Sequence, residues 1–358
     1  MRVKSDTLKR LVVEIFKGAG SEPAEAEIVA DHLVTCNLVG HDSHGVIRVL
    51  PYVTAVHDKR VFPNRHVKVV ADFGALSILD ADDGYGQVAG REALDHAADR
   101  SEKFGVGVVA MRACGHIGRV GAYAEQAAER GKLSLLMVNA PKVGGGEIAP
   151  FGGVEARLGS TPYAMSMPRR GKPPLLLDFA TASVAMGKIR VARNRGERLP
   201  MKCIITRDGE YTDDPNAVYD ERHGSVMPFG AHKGYALNVF GEVFAGLLSD
   251  GGTKKPGKAD RIQQSKNNAF IMVIDPSTVG DMEHFQDEFR TFADFVTDAK
   301  RAPGQEILMP GDVEDRTRRQ RLRDGIQLDD NTRDQLLKAA ESVGFARAEA
   351  ERLLHESA

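Results

Sequence analysis

The chain has no excess of charge of either sign: 48 lysines and arginines face 50 aspartates and glutamates, a formal net charge of −2 over 358 residues. Without a basic excess nothing draws nucleic acid, and without an acidic block there is no disordered, solvating tail. Cysteine is scarce. Cys36, Cys114 and Cys203 are odd in number, far apart and in no CxxC pattern. That excludes a disulfide framework and a cysteine zinc site, and is expected of reduced thiols in a cytoplasmic protein. No segment reaches the roughly 18 apolar residues of a membrane span, and the charged start leads into no apolar stretch of signal-peptide length. Repeats and low-complexity tracts are missing as well. What is left is 42% hydrophobic and 27% charged, the composition of a globular enzyme with room for more than one domain.

Periodicity supplies the elements. Ser21 can cap a helix that begins near Glu22 with Pro23 in its first turn, and Val29, Leu33 and Cys36 share one face. Strands are expected at 75–82, 106–111, 133–138, 175–179, 202–206 and 270–274, and helices at 87–104, 118–131, 232–248 and 331–354. Strands interleaved with helices in the middle, and helices at both ends, indicate an α/β core with a helical end domain. The two ends are expected to pack together without strands of their own.

The richest stretch is Gly40-His41-Asp42-Ser43-His44-Gly45, followed by Arg48 and Tyr52. His44, Arg48 and Tyr52 recur every four residues, so one helix face would present a proton carrier, a cation and a phenol, with a bend at Pro51. The bland reading is a solvated surface. Gly115-His116-Ile117-Gly118-Arg119 lies between a strand and a helix, where backbone N–H groups are free. Phe229-Gly230-Ala231-His232-Lys233-Gly234 places a lysine at a helix start, against the dipole unless it faces an anion. Asp178 ends an apolar run and needs a partner, for which histidine or lysine would serve. By contrast, Gly84-Tyr85-Gly86-Gln87-Val88-Ala89-Gly90 is one residue too long for a dinucleotide fingerprint and follows three aspartates, so a packed glycine turn is favoured.

Taken in order, several motifs resemble those of the malate/L-lactate dehydrogenase family, most closely its hydroxycarboxylate dehydrogenase B type. They are His41-Asp42-Ser43-His44-Gly45 with Arg48 and Tyr52, Gly115-His116-Ile117-Gly118, Leu177-Asp178-Phe179-Ala180-Thr181 leading to Gly187-Lys188, His232-Lys233-Gly234-Tyr235, and Met309-Pro310-Gly311-Asp312. The resemblance implies a homodimer with a mixed-sheet, non-Rossmann NAD(P)-binding domain at 73–299, with a subdomain at about 133–228, and a helical domain from 1–72 and 300–358. It implies an NAD(P)-dependent oxidoreductase that interconverts a small 2-hydroxy acid and its 2-oxo acid. His44 is the first choice for acid/base catalysis and His116 its rival, with Ser43 and Asp178 orienting or relaying. Arg48 and Tyr52 would hold the substrate carboxylate. Gly118, Arg119, Asp178, Phe179, Ala180, His232, Lys233, Asn268, Pro310, Gly311 and Asp312 would contact NAD or NADP, the choice between them being open.

The chain departs from its relatives at Gly159-Ser160-Thr161-Pro162, where a hydroxyl replaces an amide, and in a longer loop at 139–150. Arg190, Arg193 and Arg195 either meet a 2′-phosphate or form a solvated turn. Alternatives are a reductase of a cyclic imino acid, a metal-dependent hydrolase or lyase using His41, Asp42 and His44, and a non-catalytic binding protein. No metal, membrane or nucleic acid is expected.

Overall fold

The computed structural model describes residues 1–141, 146–256 and 266–356. Two chain ends meet first. The strand β1 (Arg2–Val3) precedes α1 (Ser5–Gly18) and α2 (Pro23–Leu38), and after two 3-10 turns comes α3 (Val49–His57). The central region runs β2 (Lys68–Asp72), β3 (Leu76–Asp80), α4 (Gly86–Phe104), β4 (Val106–Cys114), α5 (Gly121–Glu129) and β5 (Leu133–Asn139). It continues through β6 (Pro162–Met167), β7 (Leu175–Ala180), α6 (Met186–Arg195), β8 (Ile204–Ile205), β9 (Tyr211–Thr212) and β10 (Ser225–Val226). Then come α7 (His232–Gly241), β11 (Asn267–Ile274), α8 (Met282–Thr297) and α9 (Asp312–Asp324). The strand β12 (Ile326–Gln327) and helices α10 (Asp330–Ser342) and α11 (Arg347–His355) close the chain.

A seven-stranded sheet in the order β2-β3-β4-β11-β5-β6-β7 is mixed: β3 and β4 are parallel and every other neighbouring pair is antiparallel. Alternation along the strands serves two faces. Leu136, Val138, Ala269 and Ile271 pack under α4 and α5, while Leu135, Met137, Phe270 and Met272 pack under α7 and the π-helical turn Glu242–Leu247 that extends it. A second core joins the ends of the chain, with Leu8, Leu11, Phe16, Val29 and Leu33 against Ile326, Leu336, Leu337 and Leu354. A third, smaller core gathers Ile148, Ile189, Leu199, Ile204 and Val226 around the three-stranded sheet β10-β8-β9.

Several expectations are corrected. The chain ends do carry strands, since β1 pairs with β12 and the Met1 amino group donates to the Leu328 carbonyl at 3.0 Å. Glu22, not Ser21, occupies the cap position of α2, and its side chain makes no cap bond. The expected helix at 331–354 is two helices, separated at Gly344, where φ is +82°. The strand at 202–206 shrinks to the two residues of β8. His44 and Arg48 belong to separate 3-10 turns, Asp42–His44 and Val46–Arg48, and Tyr52 to α3. Pro51 lies in the first turn of α3, where a missing N–H is tolerated. The Gly84–Gly90 loop packs as a turn. A Cβ on Gly86 would lie 2.5 Å from the Gly115 carbonyl oxygen and 2.6 Å from that of His116, so only glycine lets α4 start this close to the neighbouring loop. Gly144 and Gly145 of the long loop lie outside the described residues.

Candidate active site

The turn that carries Ser43, His44 and Arg48 is pinned from both sides. Asn37 on α2 accepts from the Val46 N–H at 2.8 Å and donates to the Asp42 carboxylate at 2.7 Å. From α9, Arg321 grips both Asp42 oxygens at 2.6 and 2.9 Å and donates to the Asn37 carbonyl at 2.5 Å. Such two-point guanidinium–carboxylate contacts fix geometry as well as charge. Within the turn, the Ser43 hydroxyl lies 3.0 Å from His44 Nδ1, and Arg48 Nε donates to the Ser43 carbonyl at 2.7 Å.

His116 enters from the loop between β4 and α5. Its ring stacks on His44 with centroids 5.6 Å apart and planes 19° from parallel. Tyr52 Oη lies 2.6 Å from His116 Nδ1, and the Gln87 amide reaches both Tyr52 Oη, at 3.1 Å, and the His116 carbonyl, at 3.0 Å. So His44, Arg48, Tyr52 and His116 do converge, but through the β4–α5 loop and not along one helix face. Tyr52 is buried against His116, where its expected place was on the substrate.

Charge completes the picture. Arg48 has no carboxylate partner among the described residues. Burial, reinforced by Arg48, His41 and Arg119, pushes the His44 imidazole down to about 4, and burial with Arg48, His44 and His32 holds His116 well below the usual histidine range. Both rings are therefore neutral at ordinary pH beside a fixed cation, a place suited to an incoming anion.

Asp178 was expected to find histidine or lysine and to orient His44. Its partner is Arg119, whose Nε donates to it at 2.8 Å, and the histidine near it is His41, at 4.0 Å. Arg119 is only 2% exposed and also binds both oxygens of Glu125, at 3.0 and 3.2 Å, which in turn meets Arg318 of α9 at 3.2 Å. Burial raises the Asp178 carboxyl against the opposing pull of Arg119 and His41. A Cβ on Gly121 would stand 2.3 Å from Asp178 Oδ2, so the start of α5 must be glycine for this carboxylate to enter. His32, which spacing alone did not single out, sits behind the group: its Nε2 accepts the Arg119 backbone N–H at 3.0 Å, next to Gly118. His41 turns to Glu314 at 3.5 Å, Asp42 to Arg321 and His44 to His116, so the three proposed metal ligands point to different partners.

The expected cofactor residues divide. His232 and Lys233 are exposed at the first turn of α7, after the left-handed Gly230 and Ala231, and Lys233 has no ion pair among the described residues. Lys188 stands the same way in the first turn of α6, which approaches Ser43: a Cβ on Gly187 would lie 3.8 Å from the Ser43 Cβ. Phe179 stacks on Tyr163 and meets Phe229 edge-on, just before Ala180 ends β7. Asn268, in contrast, is buried, donating to Asn139 and the Gly252 carbonyl and accepting from the Ala113 N–H. Asp312 binds Arg169 at 3.2 Å and accepts the Met309 N–H at 2.9 Å, and the Pro310 carbonyl accepts from Leu176, so the Pro310-Gly311-Asp312 turn ties α9 to β7. The Thr161 hydroxyl donates to Asn238 at 3.3 Å.

The sequence profile of the malate/L-lactate dehydrogenase family matches residues 3–337. The chain belongs to that family. Hydroxycarboxylate dehydrogenase B of Escherichia coli K12 is 36% identical over 348 residues, covering 96% of this chain and 95% of the relative. Among solved structures, a sulfolactate dehydrogenase from Methanocaldococcus jannaschii superposes with a TM-score of 0.87 at 30% identity, over 98% of this chain and 99% of that one. A Δ1-piperideine-2-carboxylate reductase from Pseudomonas syringae gives 0.79 at 26% identity, over 95% of this chain and all 100% of that one. This dehydrogenase is thus an oxidoreductase of the hydroxyacid type on a mixed-sheet α/β fold. No helix among its described residues is long and apolar enough to cross a membrane.

Proposed function

We propose that this dehydrogenase interconverts a small 2-hydroxy acid and its 2-oxo acid with NAD or NADP. One observation carries the reading: Arg48, a cation without a carboxylate, stands beside two stacked neutral histidines. Its planar fork can hold a substrate carboxylate through two parallel hydrogen bonds, which places C2 and its oxygen next to the imidazoles. Ser43 occupies His44 Nδ1, so Nε2 is the nitrogen that exchanges a proton with the substrate oxygen. Binding of the carboxylate at Arg48 removes part of the positive field on His44 and brings its basicity closer to working pH.

The donor set fits a nicotinamide dinucleotide: exposed His232, Lys233 and Lys188 at two helix starts suit a diphosphate. Arg119, Asn268 and Asp312 are occupied within the protein and serve it by position. When bound, the nicotinamide supplies or accepts the hydride at C2. A second copy of the chain is the proposed partner. Helix α8 buries none of its residues and exposes Phe292 and Phe295, and α7 with its extension exposes Phe240, Phe244 and Leu247. Sedimentation velocity with a dimer mass is the expected result; a monomer at micromolar concentration counts against it.

The likeness to the piperideine-carboxylate reductase favours a second reading, reduction of a cyclic imino acid held by the same Arg48 clamp. Nicotinamide absorbance with NADH and NADPH in parallel, against 2-oxo acids and one cyclic imino acid, separates the two. Oxidation by an oxo acid supports the first reading, turnover of the imine alone the second, and no turnover overturns both.

A further inference from the structure

We infer that Gln87, acting through Tyr52, fixes which nitrogen of His116 carries the proton. The role rests on the dehydrogenase reading above, but the arrangement stands on hydrogen-bond direction alone.

Gln87 is 1% exposed in the first turn of α4, brought against the His116 loop by the close approach that Gly86 permits. Its terminal atom lies 3.0 Å from the His116 carbonyl oxygen. A carbonyl only accepts, so the atom facing it must be the amide nitrogen; the flipped amide would set two oxygens against each other. The same NH2 group is 3.1 Å from Tyr52 Oη, and its second hydrogen goes there. Tyr52 thereby accepts from Gln87 and has its own proton left to give. The near acceptor is His116 Nδ1 at 2.6 Å; the His116 carbonyl, at 3.4 Å, is the poorer one. Nδ1 is thus an acceptor, and a neutral ring must hold its proton on Nε2.

The consequence is a division of labour between the stacked rings. His116 presents an N–H, which can polarise the carbonyl oxygen of a 2-oxo acid. Giving that proton away would leave an imidazolate, unless Tyr52 surrendered its own proton, and burial raises the Tyr52 hydroxyl above the usual phenol range. Beyond Tyr52 the chain of donors ends, because Gln87 donates and accepts nothing from it. Proton exchange therefore falls to His44: as C2 gains hydride, its oxygen gains one proton from the His44 imidazolium, and both move back in oxidation. Gln87 and Tyr52 are positioning residues in this scheme.

The test is long-range ¹H–¹⁵N correlation NMR on the full-length protein labelled with ¹⁵N-histidine, His116 being identified by the signals lost in His116→Asn. The expected wild-type spectrum has a protonated Nε2 and a bare Nδ1. In Gln87→Glu the carboxylate accepts from Tyr52, so the Tyr52 oxygen becomes an acceptor, His116 carries its proton on Nδ1 to donate to it, and the tautomer inverts. Turnover of an oxo acid then falls about 100-fold with little change in KM, as for loss of one transition-state donor. Gln87→Met, of similar length and without a donor, serves if the glutamate variant does not fold, and mixed tautomers are expected there. A wild-type Nδ1–H overturns the inference, and so does an unchanged tautomer in both variants. The spectrum needs no turnover, so it fails separately from the proposed activity.

Discussion

The His44 and His116 rings stack at 5.6 Å, 19° from parallel, with Arg48 close enough to depress the basicity of both. Two coupled imidazoles beside a fixed cation resist both being charged, so at most one of the two rings is an imidazolium at a time. Which ring exchanges it decides the chemistry. His44→Gln is expected to lower turnover by roughly 100- to 10,000-fold while nicotinamide affinity, followed by fluorescence titration, stays within a few-fold. Unchanged turnover would transfer the role to His116.

Arg48→Lys keeps the charge and loses the fork. KM for substrates with a 2-carboxylate should rise by about 10-fold or more, with a smaller effect on an analogue that lacks the carboxylate. Equal loss on both would give Arg48 some other task. Steady-state kinetics on the matched pair decides it.

Arg119 neutralises two carboxylates in the interior, so its loss should hurt more than the loss of either. Arg119→Met leaves Asp178 and Glu125 without their shared buried counterion and is expected to destabilise by about 3–5 kcal/mol; Asp178→Asn, which leaves the Glu125 pair intact, should do less damage. Urea unfolding of both variants gives the order, and the reverse order would contradict this account.

His32 links this cluster to acid stability. Burial, with Arg119 and His44, lowers it from 6.5 to about 3, so the unfolded chain takes up its proton first as pH falls. The neutral ring's contribution is full above pH 6.5 and is lost progressively towards pH 3. His32→Gln can still accept the Arg119 N–H, and should flatten that part of the stability–pH curve. A slope equal to the wild type's would show that His32 does not titrate on unfolding.

Lys233 is expected to act on the cofactor alone. Lys233→Gln should raise the Kd for the nicotinamide dinucleotide by roughly 5- to 10-fold, with a shallower dependence on salt, as loss of a cation near a diphosphate predicts. A Kd within error of the wild type would detach Lys233 from the site.

Much of the fold is legible without coordinates. The buried strands β4, β5 and β11 are near-continuous runs of β-branched and apolar residues, and α4 has its apolar face at helical spacing. Other elements are silent. The edge strand β2 is exposed at four of its five residues, so no alternation marks it, and β6 opens on proline. Helix α8 is amphipathic in pattern, but among the described residues none of its side chains is fully buried, so its apolar face marks no core of this chain.

The site divides along the same line. By itself the sequence determined which chemistry is on offer: imidazoles in two ordered motifs, a guanidinium four residues after one of them, and lysines at helix starts, each set by residue type and short spacing. Tertiary structure alone decided which of these groups remain available. Asp178 and Arg119 cancel each other across 59 residues, His32 meets the Arg119 backbone across 87, and Tyr52 meets His116 across 64. Charge compensation and hydrogen-bond direction depend on distances of a few ångströms between elements remote in sequence, and spacing along the chain carries no record of them.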